Sequence, residues 1–301
     1  MKVLITDPVS EAAIKQMTDA GLQVDAKTDL TPDQLIATVG DYDAMVVRSA
    51  TKVTKDVIAA GKNLKLIVRG GVGIDNIDVK AAKEHNVEVR NTPAASSISV
   101  AELTIGHMLA LFRHIARGTS GLKAGQWEKK KLKGNELYQK TLGLIGIGRI
   151  GKEVARRALA FGMKVIAYDP YVKDVPGLDV KLVSLDELVS QSDVISLHTP
   201  KTDETAHILG AEQFARMKDG VVVINCGRGG LIDEEALYNA LESGKAGGAA
   251  LDCYETEPPG ASKLLEHDRV IGTPHIGAAT KEGQNRVGDE VASILIEYAG
   301  K

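Results

Sequence analysis

Arg228, Glu257 and His275 are the residues of this chain whose types could do chemistry, each lying at or soon after the end of an apolar run. Together they suit one reaction. A 2-hydroxy acid must have its carboxylate held, and an arginine does that with paired, charge-assisted hydrogen bonds. Its hydroxyl proton must leave as hydride departs from carbon, and a histidine titrates in the right range to take it. A carboxylate against the imidazole orients the ring and stabilises the imidazolium. Each residue also has a plainer reading. His275, after Pro274, reads as a loop histidine with one backbone hydrogen bond. Arg228, among glycines, could bind only a cofactor phosphate. Glu257, ahead of Pro258 and Pro259, could be a solvated turn acid. Spacing alone does not bring the three together.

The stretch that must organise them runs from Thr141 to Asp169, TLGLIGIGRIGKEVARRALAFGMKVIAYD. Thr141 to Ile145 predicts a buried strand. Gly146, Gly148 and Gly151 follow in G-x-G-x-x-G spacing, then a helix with Ile150, Val154 and Ala158 along one face. A second strand, Lys164 to Tyr168, ends in Asp169. Gly146 permits the tight turn, Gly148 lets backbone approach a pyrophosphate, and Gly151 lets helix and strand pack closely. Free N–H groups at the helix start would face the phosphates. Asp169 can accept hydrogen bonds from both adenosine ribose hydroxyls and would repel a 2′-phosphate, which favours NAD over NADP.

Before this stretch, strand and helix signals alternate. Strands are expected at Val3–Thr6, Gln23–Ala26, Ala44–Arg48, 66–69 and Val87–Arg90. Ser10 and Thr31 cap helices between them, and Pro32 stands in the first turn of the second. Such alternation predicts a parallel sheet with helices on both faces. Arg48 and Ser49 follow the third strand, and Gly70, Gly71, Val72 and Gly73 the fourth, at the edge where open α/β sheets bind ligands. An ordinary strand-to-helix loop is the competing reading. Near Asn91 the character changes, and a single long apolar helix is expected from about Val100 to Arg117. Lys129, Lys130 and Lys131 then follow the only tryptophan, Trp127; a lysine run is usually a solvated face. After Asp169 the alternation resumes, with strands ending at His198, Asn225, Asp252 and Thr273. A closing amphipathic helix runs from Lys281 to Tyr298.

Composition narrows the function classes. The 301 residues suggest two domains. A net charge of −3 gives no reason to expect nucleic acid or an anionic membrane as partner. No apolar run is long enough to span a bilayer or serve as a signal segment. Cys226 and Cys253 alone make no disulfide framework, so a cytoplasmic protein is expected. No metal site is expected.

Seven stretches together carry a family resemblance: VRSATKVT (47–54), NTPAASSISVAELTIGHMLAL (91–111), LGLIGIGRIGKEVARRALAFGMKVIAYDP (142–170), HTPKTDET (198–205), VVINCGRGGLIDEEAL (222–237), ALDCYETEPP (250–259) and TPHIGAAT (273–280). Across essentially its whole length the chain resembles the D-isomer-specific 2-hydroxyacid dehydrogenases. The resemblance implies an α/β fold of two doubly wound parallel-sheet domains. A flavodoxin-like substrate domain would comprise residues 1–97 plus 281–301, and a Rossmann NAD-binding domain residues 98–280. Substrate would bind in the cleft between them.

The family's catalytic arginine, glutamate and histidine map onto Arg228, Glu257 and His275. Its coenzyme contacts map onto Gly146, Gly148, Arg149, Ile150, Gly151, Asp169, His198, Thr199, Pro200, Cys226, Gly227, Asp252 and Gly277. Asp252 is expected to hold the nicotinamide carboxamide. Within the family the chain looks most like the branch that oxidises a phosphorylated 2-hydroxy acid, 3-phospho-D-glycerate, at the start of serine synthesis. There Arg48, Ser49, Gly71 and Val72 match the substrate loops. Lys129, Lys130 and Lys131 match a basic segment thought to reach the substrate phosphate across a homodimer, with lysine where arginine is often seen. The chain ends at Lys301 without the regulatory domain of the long forms, so serine feedback through such a domain is not expected. A glyoxylate or hydroxypyruvate reductase would need no phosphate site. A corepressor-like NAD-sensing adaptor is the reading from another functional class.

Overall fold

The computed structural model describes residues 1–300. Its strands are β1 Lys2–Ile5, β2 Gln23–Ala26, β3 Ala44–Val47, β4 Leu66–Arg69, β5 Glu88–Asn91, β6 Thr141–Ile145, β7 Lys164–Tyr168, β8 Val180–Leu182, β9 Val194–Leu197, β10 Val221–Asn225, β11 Ala246–Leu251 and β12 Val270–Gly272. The chain divides into two compact units, Met1–Ser97 with the segment from Ala278 onward, and Ile98–Gly277.

The first unit holds a parallel sheet of order β2-β1-β3-β4-β5, the flavodoxin-like order. Its side chains alternate between two cores. Val3, Ile5, Val46 and Val68 face one side, packed on Met17 of the first helix and on Val287, Val291 and Leu295 of the last. Leu4, Met45, Val47 and Ile67 face the other, against Leu35, Val57 and Ile58. The last helix, Lys281–Ala299, comes very close to the first, and a Cβ on Gly288 would stand 2.6 Å from Ser10 Oγ. Ser10 and Thr31 cap their helices as expected, Thr31 through a reciprocal capping box with Gln34.

The second unit holds a parallel sheet of order β12-β11-β10-β9-β6-β7-β8. This is the doubly wound dinucleotide order extended by one strand. Leu142, Leu144, Val165 and Ala167 face the helices Ser97–Phe112 and Arg149–Ala160. Ile145, Ile166, Ile195 and Val223 face the opposite layer, through Leu188, Phe214 and Leu237. The order reverses between β9 and β6, so the loops after β6 and β9 splay apart at the carboxyl edge of the sheet.

One expected element is corrected. The long apolar helix stops at Phe112, and a separate helix runs from Ile115 to Lys123. His114 between them is left-handed, with φ 54°. The cause lies elsewhere in sequence. Residues 133–135 cross the helix end, where Asn135 N–H donates to the Phe112 carbonyl at 2.9 Å and the His114 ring meets the Lys133 carbonyl at 3.2 Å. Gly134 makes the crossing possible, since a Cβ there would fall 2.3 Å from the Phe112 carbonyl oxygen.

Candidate active site

Glu257 and His275 lie in the loops after β11 and β12, neighbouring parallel strands. His275 Nδ1 and Glu257 Oε2 are 2.7 Å apart. Glu257 Oε1 accepts from the Tyr254 N–H at 3.1 Å, so the carboxylate is held from behind while its other oxygen meets the ring. An ionised carboxylate only accepts, so Nδ1 carries the proton and Nε2 is left with a lone pair. That is the atom able to take a hydroxyl proton. His275 itself is left-handed, with φ 50°, and its N–H donates to the Thr273 carbonyl at 3.0 Å.

Arg228 sits in the loop after β10. Asn225 Nδ2 donates to the Arg228 carbonyl at 2.8 Å and the guanidinium donates to the Gly227 carbonyl at 2.8 Å. This loop lies hard against the Glu257 segment, since a Cβ on Gly229 would stand 1.6 Å from the Tyr254 carbonyl oxygen. Cys253 links the two, its thiol 3.5 Å from the Gly227 carbonyl. The Cys253 sulfur and the ligand atoms of Glu257 and His275 all lie within 4.8 Å of one another. Burial first, then the charges of Asp252 and Glu257, push the Cys253 thiol up, so it stays protonated and inert.

The glycine loop after β6 is shaped for a dinucleotide. Gly146 has φ 92°, and a Cβ there would stand 2.7 Å from the His198 carbonyl oxygen. A Cβ on Gly151 would fall 2.3 Å from the Gly146 carbonyl oxygen, so the helix can only start this close to the loop with glycine there. At Gly148 nothing lies within 4 Å of the missing Cβ. That open space stands at the start of the helix Arg149–Ala160, whose N-terminus has no side-chain cap. Its first N–H groups are thus available to an anion. At the end of β7, Asp169 accepts from Ile147 N–H at 3.1 Å and Tyr171 N–H at 3.0 Å, one bond per oxygen. Each oxygen keeps acceptor capacity for a ribose hydroxyl.

Residues 105–277 match the family model for the D-isomer specific 2-hydroxyacid dehydrogenase NAD binding domain. The chain is 54% identical to a hydroxypyruvate reductase of Thermotoga maritima, over 99% of this chain and 98% of that protein. It is also 54% identical to a D-3-phosphoglycerate dehydrogenase of Methanocaldococcus jannaschii, over 98% of this chain but 57% of that protein, so it spans little more than half of that relative. A solved structure of D-lactate dehydrogenase from Aquifex aeolicus, complexed with NAD and lactic acid, matches all of this chain and 96% of that one, with a TM-score of 0.85 and 32% identity. The chain belongs to the D-isomer specific 2-hydroxyacid dehydrogenases. It is an oxidoreductase whose cofactor is NAD.

Within this dehydrogenase the remaining expected contacts fall in different places. Arg149 is exposed and Ile150 half-buried at the helix start. Thr199 is half-buried and Pro200 exposed after β9. Gly227 and Gly277 are buried, their N–H groups donating to Asn225 Oδ1 at 3.0 Å and Asp252 Oδ2 at 2.7 Å. Three of the expected coenzyme residues have protein partners for their side chains. The His198 ring turns inward to Ser196 Oγ at 2.9 Å, and burial pushes it down to about 4, so it is a neutral core imidazole. The Cys226 thiol is buried beside Thr104 and pushed up to about 12. The Asp252 carboxylate, 1% exposed, accepts three protein hydrogen bonds, two on Oδ1 and one on Oδ2.

In the first unit, sequence reasoning missed what holds the Arg48 loop. Asp7, buried at the end of β1, accepts from Arg48 N–H at 2.5 Å, Thr51 N–H at 3.2 Å and Thr51 Oγ1 at 3.0 Å. Asn76 donates to the Arg48 and Thr51 carbonyls at 2.7 and 2.6 Å. Ser49 is left exposed. Gly71 has φ 145° and a Cβ there would overlap the Arg69 guanidinium, while the Val72 carbonyl accepts from Asn91 at 2.5 Å. The only available signal was position, since Asp7 ends its strand as Arg48 and Gly71 follow theirs. Of the three lysines, Lys131 pairs with Glu128 at 3.1 Å, whereas Lys129 and Lys130 are exposed with no ion pair among the described residues. A cavity of about 690 Å³ lies at the amino edge of the second sheet, lined by Lys140, Asp193, Gly220 and Gly247.

Proposed function

We propose that this dehydrogenase oxidises 3-phospho-D-glycerate to 3-phosphohydroxypyruvate, the entry step of serine synthesis from a phosphorylated precursor. The hydrogen bond from His275 to Glu257, beside the Arg228 loop, carries the reading of the chemistry. When bound, NAD accepts the hydride from C2 of the substrate. Gly146, Gly148, Arg149, Ile150 and Gly151 would hold its pyrophosphate and Asp169 its adenosine ribose. His275 Nε2 takes the C2 hydroxyl proton as the C2–O bond becomes a carbonyl. Glu257 keeps the proton on Nδ1 and faces the imidazolium that forms. Arg228 holds the substrate carboxylate and the reacting oxygen. Arg48, Ser49, Gly71 and Val72 take up the rest of the acid.

The phosphate assignment rests on Lys129 and Lys130, ammonium groups without a carboxylate partner among the described residues, which suit a phosphate as point charges. Lys131 is already paired and is the weaker candidate. Ile115, Leu122 and Trp127 stand outward at 53%, 59% and 80% exposure on the helix and turn before these lysines. A second copy covering them would make the homodimer that this reading expects. Both cysteines are free, in keeping with a cytoplasmic enzyme. No described helix is long and apolar enough to cross a membrane.

A second reading is the same chemistry run toward reduction of hydroxypyruvate or glyoxylate. The near full-length match to a hydroxypyruvate reductase favours it. NAD reduction, followed by nicotinamide absorbance with 3-phospho-D-glycerate and with D-glycerate, separates the two. Turnover of the phosphorylated acid, with its KM raised roughly tenfold or more in Lys129→Glu/Lys130→Glu, is the expected result. Turnover of D-glycerate alone, indifferent to that variant, gives the reductase.

A further inference from the structure

The Asp252 carboxylate faces a set of buried partners that the chemistry above does not use. Thr273 Oγ1 donates to Oδ1 at 2.6 Å, Ile276 N–H donates to Oδ1 at 2.8 Å and Gly277 N–H donates to Oδ2 at 2.7 Å. Thr273 precedes His275 by two residues, and Ile276 and Gly277 follow it. One carboxylate thus grips the loop on both sides of the histidine. On the far side of Thr273, Oγ1 meets Nε2 of His107 at 3.2 Å. His107 comes from the helix Ser97–Phe112 and is 4% exposed.

The protons in this chain can be placed by elimination. A carboxylate taking three donors is ionised and only accepts. The single Thr273 hydroxyl proton therefore goes to Asp252. The Thr273 oxygen must then accept from His107, so His107 carries its proton on Nε2. Its Nδ1 is buried without a hydrogen-bond partner, and a second proton there would have no acceptor. Burial accordingly lowers the His107 imidazole below its ordinary value, although Asp252 opposes this. The network has one proton arrangement, not several.

What needs holding is the backbone of His275. Its φ of 50° is a conformation that residues with a Cβ adopt rarely, and it is this turn that lays the ring on Glu257. We propose that Asp252, Thr273 and His107 are positioning residues, a buried clamp that keeps the His275 loop in the conformation placing Nδ1–H on Glu257. The clamp rests on the acid–base reading of His275 for its consequence in turnover, though not for its effect on the ring.

Asp252→Asn is the sharpest variant. It is isosteric, but its amide nitrogen can only donate, so it would oppose a backbone N–H or the Thr273 hydroxyl. Thr273→Val deletes the bridging hydroxyl and Thr273→Ser restores it. The first readout is the tautomer of His275 in the free protein, from imidazole nitrogen shifts of histidine-labelled samples above pH 7. The native protein is expected to show the Nδ1–H form. In Asp252→Asn and Thr273→Val the ring moves toward the Nε2–H form favoured by free histidine, and Thr273→Ser recovers most of what Thr273→Val loses. The second readout is kinetic. In Thr273→Val, a loop displaced by about 1 Å costs roughly a hundredfold in kcat, with the NAD dissociation constant unchanged. An unchanged tautomer in folded Asp252→Asn overturns the clamp. So does a weakened NAD affinity with the tautomer intact, which would return Asp252 to the coenzyme. If the tautomer shifts while kcat holds, the clamp stands and the acid–base reading of His275 fails.

Discussion

Glu257 uses both of its oxygens, one on the Tyr254 N–H and one on His275 Nδ1, so its charge and its position serve a single end. Removing the charge while keeping the shape separates the two. In Glu257→Gln the amide oxygen can still accept from Nδ1–H, but the imidazolium formed during oxidation loses its counter-charge. The expected outcome is a fall in kcat of about 10²-fold, with His275→Ala falling further, toward 10⁴-fold. NAD affinity, measured by titration of the free protein, should move little in either. At this scale the sequence singled out Glu257 and His275, which the structure brings into hydrogen-bond contact, because their types and their places after strands are local facts. It did not reveal what the neighbouring polar residues do. Asp252 reads as a coenzyme ligand from its position after β11, yet its partners Thr273, Ile276 and Gly277 lie on another loop, and no spacing rule pairs them. Asp7 and its grip on the Arg48 loop were hidden for the same reason.

The strand-loop-helix element from Thr141 to Ala160 shows three glycines with three separate needs. Gly151→Ala puts a Cβ 2.3 Å from the Gly146 carbonyl oxygen, so helix and loop must part. Stability should drop by about 1–3 kcal/mol, and NAD binding with it. Gly148→Ala is the contrast. Its Cβ enters space with no protein atom within 4 Å, at an ordinary φ of −69°. The free protein should melt within a degree or two of the parent, while NAD affinity falls by an order of magnitude or more. Thermal melts with and without NAD distinguish the two, because NAD should raise the melting temperature of Gly148→Ala far less than that of the parent. This element was legible residue by residue because its glycine roles are set by neighbours a few positions away. The helix expected over 100–117 was not. Its apolar pattern runs on without a stop signal, and what ends it is Asn135 taking the Phe112 carbonyl from a distant part of the chain. Strand β8 and the helix Ala211–Arg216 went unread, being short and weakly patterned.

Over the molecule as a whole, titratable groups are buried or half-buried at both edges of the sheets, His198 after β9 and Asp193 before it. Several of those buried groups set how the fold responds to acid. His198 is held neutral in the second unit, pushed down to about 4 from 6.5 by burial. Unfolded chains take up that proton below pH 6.5, whereas the folded state refuses it until about pH 4. Stability from this group is therefore complete above pH 6.5 and is lost as pH falls from 6.5 toward 4, by on the order of 3 kcal/mol. His107, lowered by burial, acts in the same direction. Asp193 adds a later loss. Burial pushes its carboxyl up, but the Thr141 N–H at 2.7 Å and the Lys218 ammonium at 3.0 Å outweigh that and leave it below the usual range. Its contribution is present above the ordinary carboxylate value and disappears as pH drops through the depressed one. Glu234, raised by burial and by the charge of Glu255 against the lowering effect of the Glu255 N–H, runs the opposite way and gains stability on protonation. The expected profile is flat from pH 8 to 7, falls from 6.5 to 4, and falls again below 4. Melting curves of the free protein across that range test it. His198→Gln, whose amide can still meet Ser196, should flatten the middle segment and leave the acid limb in place. A middle segment unchanged in that variant would assign the loss to other groups.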